Sequence, residues 1–231
     1  MPTSTLTLPT PDGGAMPSFL ATPAAGRAPG LLIIPAIFGV DPGIQQLATD
    51  VAAHGVVVLV PDPFWRTDPG VVGFDDAGMQ RGRARAKALD AAQWRKDVAV
   101  ALAALKARPD CNGKAAALGV CFGGKYALFA GAEGIADAAL GFHAGGLTAS
   151  LDELRKVSCP VSLHFAGDDP GIPPADVEAV RGALAGNTNV RIEVYPGVRH
   201  GFTHPGSPAF EPAAAARAHG DLLARLGALR G

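Results

Sequence analysis

The residues best suited to covalent chemistry sit in one short string, Gly119-Val120-Cys121-Phe122-Gly123-Gly124, which follows an apolar run and leads into a helix-forming stretch. A nucleophile on a sharp strand-to-helix turn needs small residues two before and two after it, so that the backbone can pack closely. Gly119 and Gly123 fill those positions. The string therefore reads as a nucleophile elbow with Cys121 as its reactive residue. The same turn sets Cys121 at a helix N-terminus, where unpaired N–H groups and the helix dipole favour thiolate over thiol. It also offers the Phe122 N–H to a developing oxyanion. Alone, a GxCxG string is weak, because most free cysteines act as small buried hydrophobes; the strand before it and the helix after it give it weight.

A cysteine that attacks a carbonyl needs a base and an acid to orient that base, and on strand–turn–helix scaffolds of this kind they follow in the order acid, then histidine. After the apolar run 161–166 comes Gly167-Asp168-Asp169-Pro170-Gly171-Ile172-Pro173, in which either carboxylate can orient a histidine. Turn chemistry alone also favours Asp in such a loop. After the run 190–195 comes Pro196-Gly197-Val198-Arg199-His200-Gly201-Phe202, which puts His200 in a loop before the last helix, where the base belongs. Of the other histidines, His54 and His219 read as surface residues, His164 as a hydrogen-bonded core residue, and His143 as a pocket residue closing its strand on the active-site side.

The elements that must hold these groups follow from hydrophobic periodicity. Continuous apolar runs at 31–35, 56–61, 115–120, 138–143, 161–166 and 190–195 read as strands covered on both faces, the mark of a parallel sheet. Between them, 43–53, 89–106, 124–131, 175–184 and 213–229 are rich in Ala and Leu with apolar residues every three or four positions, as helices are. Strands at 3–8 and 16–20 around Pro11-Asp12-Gly13-Gly14 read as an antiparallel ribbon. The alternation predicts an α/β fold: one domain over 1–231, a mostly parallel central sheet, helices on both faces and a short N-terminal antiparallel ribbon. The stretch 64–82, rich in Pro, Gly and Asp, reads either as a flap over the carboxyl ends of the strands or as a disordered connector.

Bulk composition narrows the function. Apolar residues at 48% against 18% charged supply a large core and exclude a disordered chain. A net charge of -1 gives no field that would draw nucleic acid, and the basic run 81–87 reads as a solvated helix face. Pro9, Asp12, Gly13 and Pro17 interrupt the first twenty residues, and no later apolar run reaches the length of a membrane span, so no membrane is expected and a cytoplasmic location is. Three cysteines without paired spacing, and no CxxC pattern or Cys/His cluster in sequence, point to a free thiol, with no disulfide framework and no metal site expected.

Taken together, these motifs resemble the dienelactone hydrolases, or carboxymethylenebutenolidases, over nearly the whole chain. The resemblance rests on Pro35-Ala36-Ile37-Phe38-Gly39-Val40, Val60-Pro61-Asp62, the 119–124 elbow, Asp169-Pro170-Gly171-Ile172-Pro173, and the segment 195–202. It implies an α/β-hydrolase fold and a monomeric, cofactor-independent hydrolase of a small ester or lactone, with Cys121, His200 and Asp169 as its triad. It selects Asp169 over Asp168, and it implies that the Ile37 N–H joins that of Phe122 in the oxyanion hole. Two departures bear on substrate. The family carries a glutamate that helps activate the cysteine where this chain has Ala36, and a carboxylate-binding arginine where it has His204. Alanine cannot accept a proton, so the thiolate here must come from His200 and the helix terminus, and a neutral imidazole binds an anion less well than a guanidinium. An altered substrate range follows, with Ala36, Phe38, His143, Phe202 and His204 as the substrate-binding set. A further carboxylate-binding arginine is expected among Arg81, Arg83, Arg85 and Arg95. The competing reading is a catalytically retired fold that binds a small ligand.

Overall fold

A computed structural model describes residues 1–24 and 26–231. In chain order the elements are β1 (Thr3–Pro9), β2 (Ala15–Ala21), β3 (Ala28–Ile34), α1 (Pro42–Ala53), β4 (Val57–Pro61), α2 (Asp76–Ala88), α3 (Ala91–Lys106), β5 (Cys111–Val120), α4 (Gly124–Ala132), β6 (Ala138–Phe142), α5 (Leu151–Leu154), β7 (Val161–Ala166), α6 (Pro174–Ala183), β8 (Val190–Tyr195) and α7 (Pro212–Gly227). The strands form one eight-stranded sheet in the order β1-β2-β4-β3-β5-β6-β7-β8. β1 pairs antiparallel with β2, and β2 with β4; every other pairing is parallel. The expected ribbon thus continues the parallel sheet at one edge.

Side chains alternate between faces along each strand, and the continuous apolar runs are buried because both faces are covered. Leu31 and Ile33 of β3 and Leu118 and Val120 of β5 pack under α1 and α7. Leu32 and Ile34 face the other way, with Ala115 and Ala117, against α3 and α4. On that second face α6 covers β7 through Val177 and Val180 against Leu163 and Phe165. β8 departs from the expectation of a strand covered on both faces: as an edge strand it is only half-buried, and Val194 is 42% exposed. Helix starts follow local chemistry. Asp41 caps α1 by accepting from Gly43 N at 2.7 Å and Ile44 N at 3.1 Å, ahead of Pro42.

The stretch 64–82 is folded, which sets aside the disordered connector. Asp62 accepts from Phe64 N at 2.9 Å and Gly70 N at 2.8 Å, Phe64 is fully buried, and Asp75 caps α2 through Gly78 N at 2.8 Å. α2 carries the basic run, as a helix face, but Arg85 turns inward. Among the described residues, no helix is long and apolar enough to cross a membrane.

The chain moves outward to β4 on one side of β3 and to β5, β6, β7 and β8 on the other. The loops after β3 and β5 therefore diverge at their carboxyl ends, and such a switch in direction opens a crevice there. Residues 35–40 and the elbow at Cys121 flank it.

Candidate active site

β5 ends at Val120, and Cys121 opens a single 3₁₀ turn, Cys121–Gly123, that runs into α4. The turn is sharp enough to force Cys121 to φ +52°. A side-chain-bearing residue there costs about 1–3 kcal/mol and persists only where packing dictates it. The packing is specific: a Cβ on Gly119 would sit 2.3 Å from the Gly123 carbonyl oxygen, and one on Gly123 would sit 2.0 Å from that of Ile34. Both glycines are required for the reason the sequence suggests. Phe122 N–H is among the first-turn donors that have no acceptor within a helix.

The loops after β7 and β8 bring up the partners. His200 Nδ1 lies 2.5 Å from Asp169 Oδ2, while Asp169 Oδ1 accepts from Gly171 N at 2.8 Å. Asp169 is buried; Asp168 is exposed, and its backbone N–H donates to Val198 O at 2.9 Å, tying the two loops together. Burial alone would raise the Asp169 carboxyl, but His200 and the Gly171 and Ile172 N–H groups hold it below the usual carboxylate range. Burial would likewise lower His200, yet the hydrogen bonds to Asp169 and to Cys121 and the charges on both push it up to about 10.

His143 comes to the same place from the end of β6. Its backbone has φ +39°, its N–H donates to His164 O at 2.7 Å, and Gly145 N–H donates to Cys121 O at 3.3 Å. A Cβ on Gly124 would lie 2.2 Å from that of Ala144, so the loop after β6 presses directly on the start of α4. His143 is fully buried, its ring centroid 4.6 Å from that of His200, and its Nε2 3.1 Å from Thr203 Oγ1. Burial, then the neighbouring His200 and His204, hold its pKa well below the usual imidazole range. One ligating atom from each of Cys121, His143 and His200 lies within 4.8 Å of the other two.

These groups open on a cavity of about 200 Å³ lined by Ala36, Phe38, Phe74, Met79, His204 and Arg199, among others. A larger hollow of about 470 Å³ near Thr3 and Asp62 holds none of the chemistry above. Of the expected substrate-binding set, Ala36, Phe38, His143 and His204 border the cavity, and Phe202 does not. It lies fully buried beneath His143 and Tyr195, at centroid distances of 5.8 and 4.9 Å, because the glycine before it turns the chain inward. His204 is spent in part: its Nε2 lies 3.0 Å from Asp41 Oδ1 at the cap of α1, and its ring stands edge-on to Phe38 and Phe74.

The arginines expected to reach a substrate do not line the cavity. Arg81 pairs with Asp68 and Arg95 with Glu133. Arg85 lies over the Phe64 ring and donates to the Ile37 carbonyl through Nε at 2.9 Å and to Gly70 O at 2.7 Å. It thereby braces the loop that carries the Ile37 N–H, which has no backbone acceptor among the described residues. The cation on the cavity rim is Arg199, next to His200, which sequence reasoning passed over. Phe74 and Met79 come from the stretch 64–82, whereas nothing in the sequence marks Ser207, Pro208 and Ala209, which also line the cavity. His219, expected at the surface, instead packs its ring on Phe142 at 5.6 Å. His164 is held as expected, between Tyr195 OH at 2.9 Å and Asp221 Oδ2 at 3.2 Å.

Comparison with known proteins shows the family. The model of the dienelactone hydrolase family matches residues 16–229. A curated relative from Azospirillum brasilense is 33% identical over 228 residues, covering 95% of this chain and 96% of its own. The carboxymethylenebutenolidase of Pseudomonas sp. strain P51 is 29% identical, covering 98% and 95%. Among solved structures, a dienelactone hydrolase-like promiscuous phosphotriesterase from metagenomic libraries superposes with a TM-score of 0.84 at 25% identity, covering 100% of this chain and 99% of that one.

Proposed function

The chain belongs to the dienelactone hydrolase family, a family of ester and lactone hydrolases, and from that premise we propose that it cleaves a small ester or lactone through Cys121 as nucleophile. The observation that carries the reading is His200, its Nδ1 held 2.5 Å from Asp169 Oδ2 and a ring nitrogen within 4.8 Å of the Cys121 sulfur, at a cavity that both residues line.

The steps follow from the chemistry of these groups. His200, protonated, is paired with Cys121 as thiolate. Sulfur attacks the carbonyl carbon and the carbonyl π electrons move to oxygen, where the N–H groups of Ile37 and Phe122 stabilise the charge. The C–O bond then breaks as His200 Nε2 gives its proton to the leaving oxygen; in a lactone that alcohol stays tethered to the acyl group. His200, now neutral, takes a proton from water as the water attacks the thioester. The second oxyanion collapses, thiolate departs, and the pair returns to its starting charges. Asp169 keeps the His200 ring in place and stabilises its cation throughout.

Ala36 shapes this route. With a methyl group on the cavity wall, no carboxylate there can take the thiol proton, so thiolate formation falls to His200. An apolar wall of Phe38, Phe74 and Met79 with one rim cation, Arg199, suits a small, largely apolar acyl group better than a dianion. The reading keeps the chain monomeric, cytoplasmic and cofactor-free. Its test is hydrolysis of short-chain p-nitrophenyl esters and of dienelactone by wild type, Cys121→Ala and His200→Ala. Each variant should lose at least about 10³-fold in kcat. Turnover unchanged in both variants would refute the cysteine mechanism, and no turnover by wild type would favour the retired, ligand-binding fold.

A further inference from the structure

Cys121 and His200 account for a nucleophile and a base, but not for a second histidine turned onto them. Each histidine has one nitrogen held from outside: His200 Nδ1 by Asp169 Oδ2 at 2.5 Å, His143 Nε2 by Thr203 Oγ1 at 3.1 Å. Their other nitrogens, Nε2 of His200 and Nδ1 of His143, are therefore the ones left to face Cys121. His143 Nδ1 is a fully buried polar atom that finds no hydrogen-bond partner among the described residues. Burying such an atom unpaired is unfavourable, because it loses its water and gains no partner.

We propose that Cys121 Sγ, His143 Nδ1 and His200 Nε2 form a three-ligand site for a thiophilic divalent cation, zinc above all, and that occupation of this site arrests hydrolysis reversibly. The arrest rests on the cysteine mechanism above; the binding does not. One thiolate and two imidazoles, with a fourth position open to a cavity, make a ligand set of the kind that zinc takes in open sites. Bonds of about 2.0 Å to nitrogen and 2.3 Å to sulfur place tetrahedral ligand atoms roughly 3.3–3.6 Å apart. The three groups already lie within 4.8 Å of one another, so small side-chain rotations close the remainder. The outer oxygens of Asp169 and Thr203 supply the orienting contacts that zinc-bound histidines almost always have.

The proton balance is simple. Whether Cys121 and His200 rest as thiolate and imidazolium or as thiol and imidazole, the pair holds one proton, and the cation displaces it to solvent. His143 enters through the lone pair of a neutral ring, the form its burial favours. Hydrolysis stops because sulfur can no longer attack and His200 can no longer carry a proton.

Cobalt(II) titration of the chelator-treated protein reads the site directly. Wild type should give one equivalent of thiolate-to-cobalt charge transfer in the near ultraviolet with the intense visible bands of a four-coordinate ion. Cys121→Ser should lose the charge-transfer band, and His143→Phe and His143→Gln, both checked for folding by circular dichroism, should weaken zinc binding at least 10-fold. Zinc should inhibit wild-type ester hydrolysis with the same affinity, and chelator should restore it. Absence of the wild-type band, or equal zinc affinity in folded His143 variants, overturns the proposal. Bands that follow Cys121 and His143 in a protein that hydrolyses no ester would leave the site standing and remove the catalytic reading; hydrolysis without bands would do the reverse.

Discussion

At the scale of single residues, catalysis turns on which proton sits where. His200 is pushed up to about 10 because Asp169 and Cys121 outweigh its burial. A histidine raised in the folded state keeps its proton, and what that proton does, until pH passes the raised value. Loss of leaving-group protonation should therefore appear as an alkaline limb near pH 10 in kcat/KM. Asp169→Asn removes the strongest cause of the rise, so the limb should move to lower pH as kcat falls about 10²–10⁴-fold. A pH–rate profile whose alkaline limb does not move would mean that Asp169 does not set the state of His200. The placement of Cys121 and His200 is legible in sequence because order and loop position constrain both even without contacts, whereas position alone leaves Asp168 and Asp169 open and only the family resemblance separates them. The cavity wall is not. Phe202 was expected on it from type and position alone, yet the chain turn at Gly201 puts Phe202 beneath His143.

At the scale of elements, the elbow depends on two glycines that have no room for a side chain. Gly119→Ala would drive its Cβ into the Gly123 carbonyl, 2.3 Å away, and backbone cannot swing aside as a side chain can. Chemical denaturation should show a loss of about 1–3 kcal/mol, with activity falling further because Cys121 and the Phe122 N–H move together. Gly182→Ala in α6, where a new Cβ meets nothing within 4 Å, should instead gain about 0.5–1 kcal/mol and leave activity alone. Equal effects at the two positions would deny the elbow its steric logic. Strands β3 to β7 are readable in sequence because burial on both faces makes them continuous apolar runs, and β1 and β2 because an Asp-Gly turn separates them; β8 reads from its apolar run too, although as an edge strand it is only half-buried. α2 is legible only through its basic face at 81–87, because a basic helix carries little apolar periodicity to mark its start; its inward residue, Arg85, satisfies carbonyls at Ile37 and Gly70, a purpose visible only in three dimensions.

At the scale of the whole molecule, buried histidines set the response to acid. His164 and His219 are both held below the usual imidazole range, chiefly by burial. The unfolded chain takes up protons at those rings near pH 6.5 while the folded chain does not. Stability should therefore fall as pH drops below about 6.5, well before Asp169 and Asp221, whose carboxyls are lowered, begin to contribute their own loss below about pH 4. Urea midpoints between pH 7.5 and 5 should show the decline, and His219→Phe should flatten it; an unchanged slope would mean that His219 is solvated. The central claim, however, is a covalent one, and rapid-quench mass spectrometry during ester turnover tests it most directly. An acyl group in thioester linkage on the peptide that contains Cys121, formed and lost at the rate of turnover, is the predicted result. An acyl group on another residue, or steady turnover with Cys121 never acylated, would contradict it.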